Sequence, residues 1–148
     1  MGEIDTMDPK AVLDLCREHA GAEAELDMDR VLATLVPNPR FDFFPLAMQV
    51  SGRDKIERFY REQYPRFAPQ VIGYEVLREW TNEEAALQEY VIEVAEDDGR
   101  TSTYHVMSMM PVDEESGLLT GERLYCDEGF VRALLGPLFT LLEPVAGS

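Results

Sequence analysis

Apolar residues recur along residues 9–20 at helical spacing. Val12, Leu15, Cys16 and His19 fall at i, i+3, i+4 and i+7, the stripe of an amphipathic helix. Asp8 before Pro9 supplies an N-cap followed by proline at the first helical position, where no N–H is needed. Asp27 caps a second, shorter helix carrying Val31, Leu32 and Leu35, and Pro37 and Pro39 close it. Residues 41–44 read as a short aromatic strand, and Ser51-Gly52 turns the chain. A third helix over 53–66 carries Ile56, Phe59, Tyr60 and Gln63 on one stripe, with Pro65 and Pro69 ending it. Beyond residue 70 the period changes to two, predicting strands over 71–80, 85–96, 101–112 and 118–127. Helices followed by a meander of strands predict an α+β domain with helices on one side of an antiparallel sheet.

Turn chemistry assigns faces to these strands. Asp98-Gly99 between two strand-like runs is the signature of a two-residue hairpin loop. Closed that way, Asp97 pairs with Arg100, and Glu89, Val91 and Glu93 share a face with Ser108, Val106 and Tyr104. Tyr90, Ile92, Val94, His105 and Met107 take the other face. Hydrophobicity alone sends this second set to the core and the glutamates to water, so two registers stay open. In the last strand Leu118, Thr120, Glu122, Leu124 and Cys126 share one face; Leu119, Gly121, Arg123, Tyr125 and Asp127 share the other. Both faces mix apolar and charged groups. That pattern fits either a curved sheet around a partly polar pocket or an edge strand with solvated charges.

Composition narrows the classes. At 148 residues the chain reads as one domain over 1–148, its core about 9–137 and its C-terminal tail 138–148. Leu138, Phe139, Leu141 and Leu142 of that tail are too apolar to stay in water and are expected to pack. A formal charge of −16 argues against nucleic acid or an anionic membrane as partner. No basic flank precedes an apolar run near the N-terminus, and the uncharged stretch over 133–142 is broken by Gly136-Pro137 and is too short to span a bilayer. Two cysteines without CxxC spacing read as free thiols in a reducing compartment, the cytoplasm by default.

The element order and three stretches, 27–35 (DMDRVLATL), 52–60 (GRDKIERFY) and 121–127 (GERLYCD), resemble the nuclear transport factor 2-like superfamily over about residues 9–137. They resemble in particular its SnoaL-like polyketide cyclase branch. The resemblance implies a cone-shaped curved antiparallel sheet wrapped around the N-terminal helices, the cystatin-like or SnoaL-like α+β barrel, with a blind pocket inside. It also implies a dimer through the outer sheet face. The fold hosts isomerases, cyclases, dehydratases, epoxide hydrolases and non-catalytic binders, so it implies no single reaction. Set against the superfamily's limonene epoxide hydrolases, residues 103–127 align without a gap. This implies that Val106, Ser108, Glu122, Leu124 and Cys126 face the pocket, with Glu93 beside them. The Tyr and Asn that hold the attacking water there fall on Phe41 and Phe43, the paired aspartates on Glu93 and Leu124, and the intervening arginine on Val91. Epoxide hydrolysis by that arrangement is therefore not expected. The general base of ketosteroid isomerases also falls near Phe43, whereas their oxyanion-stabilising tyrosine falls on His19.

Candidate chemistry follows. His19 lies one helical turn before Glu23 and can serve as acid, base or donor, or be a buried histidine satisfied by that glutamate. Glu93 and Glu122, if both line a dry pocket, share protons and suit acid–base work; otherwise they are ion-paired or solvated. Tyr104 could orient Glu93, and Cys126, lacking a basic partner, reads as lining and not as a nucleophile. Glu23, Phe41, Phe43, Val91, Val106, Ser108, Met110 and Leu124 complete the expected pocket. Two ligands, His19 and Glu23, do not make a metal site, and no phosphate-binding glycine loop is present, so neither metal nor cofactor is expected. The expected ligand is a small, largely apolar molecule. The expected reaction is proton abstraction next to a carbonyl, leading to isomerisation, cyclisation or dehydration, with His19 and one of Glu93 or Glu122 dividing the roles. The alternative is a non-catalytic ligand-binding or interaction module. Tyr90, Ile92, Val94, Met107 and Met109 on an outer face predict a homodimer.

Overall fold

The computed structural model describes residues 7–145; the outermost parts of the expected domain, 1–6 and 146–148, lie outside the described residues. Helix α1, Pro9–Ala24, is capped by the Asp8 carboxylate, which accepts from the Ala11 N–H at 2.8 Å. It runs past Gly21 and buries Val12, Cys16, His19 and Ala22. Asp27 caps α2, Met28–Ala33, by the same device. Helix α3, Arg53–Arg58, passes into a π-helical turn, Phe59–Gln63, then α4, Tyr64–Phe67, and a 3-10 turn, Ala68–Gln70. Pro65 has no N–H to offer the preceding turn and its ring crowds that turn's carbonyl. The helix widens there, and the Tyr64 N–H reaches back to the Phe59 carbonyl. The proline bends the helical run without ending it.

The seven strands are β1 (Leu35–Phe44), β2 (Met48–Ser51), β3 (Val71–Thr81), β4 (Ala85–Ala95), β5 (Thr101–Pro111), β6 (Leu119–Tyr125) and β7 (Glu143–Pro144). They form one curved sheet in the order β3-β4-β5-β6-β1-β2-β7. The α+β class holds, but the sheet is not purely antiparallel, because β1 and β6 run parallel at its centre. Helix α5, Glu128–Leu135, and a 3-10 turn, Gly136–Leu141, lead into β7, which pairs with β2. The expected tail is thus part of the sheet; Leu138 is buried, and Phe139, Leu141 and Leu142 pack against the core. Among the described residues, no helix is long and apolar enough to cross a membrane.

The β4–β5 hairpin corrects the expected register. The Glu96 N–H donates to the Arg100 carbonyl at 2.7 Å, and the Gly99 N–H donates to the Glu96 carbonyl at 3.0 Å. Gly99 has φ +86°. The loop therefore holds three residues, 97–99, a turn closed by a left-handed glycine, and not two. Asp-Gly serves as its second and third positions. One extra loop residue moves every pairing by one and exchanges the faces of β4. Glu93 now pairs with Thr103, Val91 with His105, Tyr90 with Val106 and Gln88 with Ser108. Gln88, Tyr90, Ile92 and Val94 turn inward; Glu89, Val91 and Glu93 turn outward. The outer face keeps Met107 and Met109 from the expected apolar set and loses Tyr90, Ile92 and Val94 to the interior. Trp80, Leu87 and Val91 replace them, since Trp80 pairs with Leu87 and Leu87 with Met109.

At the centre of the sheet β1 makes an irregular step: Leu35 pairs with Leu119, yet the next partners are Arg40 and Gly121. From there Phe41 pairs with Glu122 and Phe43 with Leu124, and all four turn inward. Asp42 points the other way, buried between the guanidinium groups of Arg40 at 3.3 Å and Arg123 at 3.6 Å. Gly121 has φ +135°, and a Cβ placed there would lie 1.8 Å from the Arg40 carbonyl oxygen. Only glycine lets β1 approach β6 this closely. Gly121→Ala should therefore destabilise the fold by roughly 3 kcal/mol or more, well above an ordinary surface substitution. Urea denaturation measures this; a loss under about 1 kcal/mol would mean that the strands separate here without consequence.

Candidate functional site

The concave face of the sheet and the helices enclose a cavity of about 350 Å³. Its walls are apolar and aromatic: Phe41 from β1, Phe59, Tyr64 and Phe67 from the bent helical run, Tyr74 from β3, Tyr90 and Ile92 from β4, and Phe130 from α5. Four polar side chains reach it from four elements: Glu23 from α1, Gln88 from β4, Ser108 from β5 and Glu122 from β6. A mostly apolar concavity with a few convergent polar groups is the usual form of a small-molecule site.

Behind the polar wall lies His19, 1% exposed. It does not line the cavity but holds the residues that do. Its Nε2 is 3.5 Å from Glu23 Oε2 and 3.9 Å from Glu122 Oε2, and both carboxylates stay partly accessible. The Ser108 hydroxyl donates to Glu122 Oε1 at 2.8 Å. The Tyr60 hydroxyl, carried by the π-helical turn, donates to Glu23 Oε2 at 3.0 Å and lies 3.1 Å from His19 Nε2.

Counting hydrogens assigns the charge of His19. Thr34 donates its single hydroxyl proton to the Val31 carbonyl at 2.6 Å, so toward His19 Nδ1, at 2.8 Å, it can only accept. Nδ1 therefore carries a proton. Tyr60 spends its own proton on Glu23, so toward Nε2 it too can only accept, and Nε2 carries a proton as well. The ring is an imidazolium. Burial, the largest single influence, opposes that charge, but Glu23 and Glu122 together overcome it and raise the pKa to about 10. Tyr60 is pushed well above the usual phenol range, first by burial and then by the same carboxylates. Tyr64, Tyr74 and Tyr90 at the cavity wall rise for the same reasons, Tyr74 to about 12, so the phenols are neutral O–H donors. Burial likewise raises Cys126 to about 12, which makes it an unreactive thiol.

The expected site residues separate into four groups. Glu23, Phe41, Ser108, Met110, Glu122 and Leu124 line the cavity, with His19 directly behind them. Phe43, Val106 and Cys126 are buried in the core beside it and are not part of its wall. Glu93 and Val91 lie on the opposite face of the sheet, a consequence of the three-residue hairpin loop, and Glu93 is exposed. Tyr104 faces inward but away from the cavity, donating to Glu96 at 2.7 Å and packing on Phe130. The sequence reading missed Gln88, Tyr90, Tyr64, Tyr74, Thr34 and the role of Tyr60. The alternation Gln88, Tyr90, Ile92, Val94 was the signal for two of them, and the stripe Ile56, Phe59, Tyr60 for another.

His19 Nε2, Glu23 and Glu122 place three metal-capable atoms within 4.8 Å of one another, one ligand more than the chain order suggested. The donor set would suit a divalent cation. Two features oppose one: the Tyr60 hydroxyl bonds both His19 and Glu23, and the imidazolium would have to lose a proton first.

No family model matches the chain, and no curated protein matches its sequence. Solved structures do match. A nuclear transport factor 2-like protein of unknown function from Burkholderia pseudomallei is 17% identical, covering 85% of this chain and 98% of that one, with a TM-score of 0.62. A protein named as a candidate ketosteroid isomerase from Kribbella flavida is 15% identical, covering 81% and 80%, with a TM-score of 0.63. A de novo designed protein with a curved β-sheet is 17% identical, covering 91% and 99%, with a TM-score of 0.64. The chain thus has the nuclear transport factor 2-like fold. That a designed protein shares it underlines that the fold by itself carries no particular chemistry.

The charge of His19 makes stability depend on pH. Its folded pKa is raised, so the stabilisation is fully present below the unfolded value of about 6.5 and fades as pH rises through about 10. At pH 7, His19→Ala should lower stability by about 3–5 kcal/mol, because two carboxylates lose their shared counter-charge. The gap between wild type and variant should narrow from pH 7 to pH 10. Denaturant titrations across that range measure it, and a constant gap would contradict the imidazolium assignment.

Proposed function

We propose that this protein binds a small, largely apolar molecule in the cavity and performs cofactor-independent acid–base chemistry on it, at a carbon next to a carbonyl. Isomerisation, cyclisation and dehydration are the reactions within reach of such a step. The observation that carries this reading is that one cavity is lined both by a hydrogen-bonded carboxylate, Glu122, and by neutral tyrosines, Tyr64, Tyr74 and Tyr90. Glu122 would take the proton. Tyr64, Tyr74 or Tyr90 would donate a hydrogen bond to the oxygen on which charge develops. His19 acts in this reading as a positioning residue, holding Glu122 and Glu23 apart at fixed distances without touching the ligand. The rival module without chemistry predicts a cone occluded by Phe41, Phe43, Leu124 and Met110; the cavity of about 350 Å³ favours the enzyme.

Deuterium exchange tests the proposal. Small ketones such as cyclohexanone and 4-phenyl-2-butanone, incubated with the protein in D₂O, should exchange their α-hydrogens faster than in buffer, as read by proton NMR. Glu122→Gln should reduce that acceleration by about 10²-fold or more. Ketone binding without any enhanced exchange would leave the non-catalytic reading in its place.

We also propose that the protein is a homodimer through the outer sheet face. Trp80 and Tyr125 are 44% and 42% exposed there, beside half-buried Leu87, Val91, Met107 and Met109. A contiguous apolar surface of this kind marks an interface more often than a free face. Cys16 and Cys126, both free and buried, suit a reducing compartment such as the cytoplasm. Light scattering should give twice the chain mass at micromolar concentration, and Met109→Glu should halve it. A monomeric wild type would refute the dimer.

A further inference from the structure

The proposed pocket has a charge balance that selects among apolar ligands. Two carboxylates, Glu23 and Glu122, reach its wall, and one imidazolium, His19, stands behind them. The hydrogen bonds from Ser108 and Tyr60 add no charge. No lysine or arginine lines the cavity among the described residues. Arg17 of α1 is committed elsewhere: it pairs with Glu79, whose second oxygen accepts from Gln88 at 2.7 Å. The site therefore carries one net negative charge that only solvent balances.

Filling the cavity removes that solvent. A neutral ligand would leave the excess carboxylate charge less solvated and unpaired, and so would bind more weakly than one that supplies a counter-charge. An anionic ligand would add repulsion to it. A ligand with a protonated nitrogen supplies the missing charge, and its N–H groups can bond the carboxylate oxygens. The walls suit the same ligand. Seven of the lining residues are aromatic, among them Phe41, Phe59, Tyr64, Tyr74 and Tyr90, and aromatic faces attract cations as well as hydrocarbon.

We infer that the ligand of this pocket is a small primary, secondary or tertiary amine, cationic at neutral pH, whose ammonium group sits against Glu23 and Glu122 and whose apolar body fills the aromatic part of the cavity. This rests on the proposed ligand-binding role of the same cavity and adds the chemical class. An amine that also carries a carbonyl group leaves the acid–base reading intact, since Glu23 can hold the ammonium while Glu122 takes the proton.

Matched probes test the inference on the full chain. Amines from cyclohexylmethylamine to tryptamine, each with its alcohol and its carboxylate counterpart, are titrated by calorimetry and by the ¹³C-labelled methyl signal of Met110 at the cavity wall. The amines should bind about tenfold or more tightly than the alcohols, equivalent to about 1.4 kcal/mol, and the carboxylates should not bind. Glu122→Gln should bring the amines down to the alcohols. Glu93→Gln makes the same change of net charge on the opposite sheet face and should leave amine affinity unchanged, which separates the local carboxylates from the general acidity of the chain. Alcohols binding as tightly as amines would overturn the inference and leave the pocket reading standing. Equal weakening by both glutamine variants would overturn it too. Silence of every probe at Met110 would overturn it together with the pocket reading.

Discussion

One buried cation organises the interior. The His19 imidazolium draws together α1 through its own backbone, α2 through Thr34, the bent helical run through Tyr60 and β6 through Glu122. Each partner solves a local problem as well. Thr34 caps α2 and passes its proton to the Val31 carbonyl, and Tyr60 is presented by the π-helical turn that Pro65 imposes. Glu23 and Glu122 would repel each other in a low-dielectric interior without the imidazolium between them. The helices are therefore fastened to the sheet by charge at the same point where the cavity acquires its polar wall.

The sheet supplies the other half of the geometry through two glycines. Gly121 admits the Arg40 backbone, which lets β1 and β6 run side by side and sets Phe41 next to Glu122 on the concave face. Gly99 closes the β4–β5 loop at three residues, which selects Tyr90 and Gln88 for the same face. Both act on register and not on packing. Since side chains alternate along a strand, a one-residue difference in either place would replace the cavity wall with charged or half-exposed residues.

The helices and the order of the later strands were legible in the sequence, because periodicity reports burial directly; the inward turn of Glu122, Leu124 and Ser108 was legible only through the family resemblance, since both faces of β6 mix apolar and charged residues. The position of His19 was legible as well, from the Val12-Leu15-Cys16 stripe. The β4 face was not. Asp-Gly favours a two-residue loop locally, but a three-residue loop buries Tyr90, Ile92 and Val94, and that burial outweighs the turn preference. Hydrophobicity pointed the right way; the loop rule and the family register agreed with each other and were both wrong about Glu93. The partnership of β1 with β6 joins residues some eighty positions apart, and no local pattern encodes it. The tyrosines at the wall come from three separate elements, and nothing in chain order groups them.

A buried ion cluster is seldom the most stable way to fill a core. Replacing such a group with well-packed hydrophobic residues is commonly neutral or stabilising, whereas removing one member is damaging. Stability alone therefore does not require charged groups at positions 19, 23 and 122. The same fold tolerates wide divergence in sequence, as the 15–17% identities to its structural neighbours indicate. What this chain keeps instead is a cation enclosed by two carboxylates, each with one oxygen tied to a hydroxyl, at the edge of an open cavity. The hydroxyl bonds restrict the carboxylates to one orientation, and the imidazolium leaves one negative charge between them. The cluster therefore fixes the direction and the net charge of the cavity wall as well as fastening the helices to the sheet.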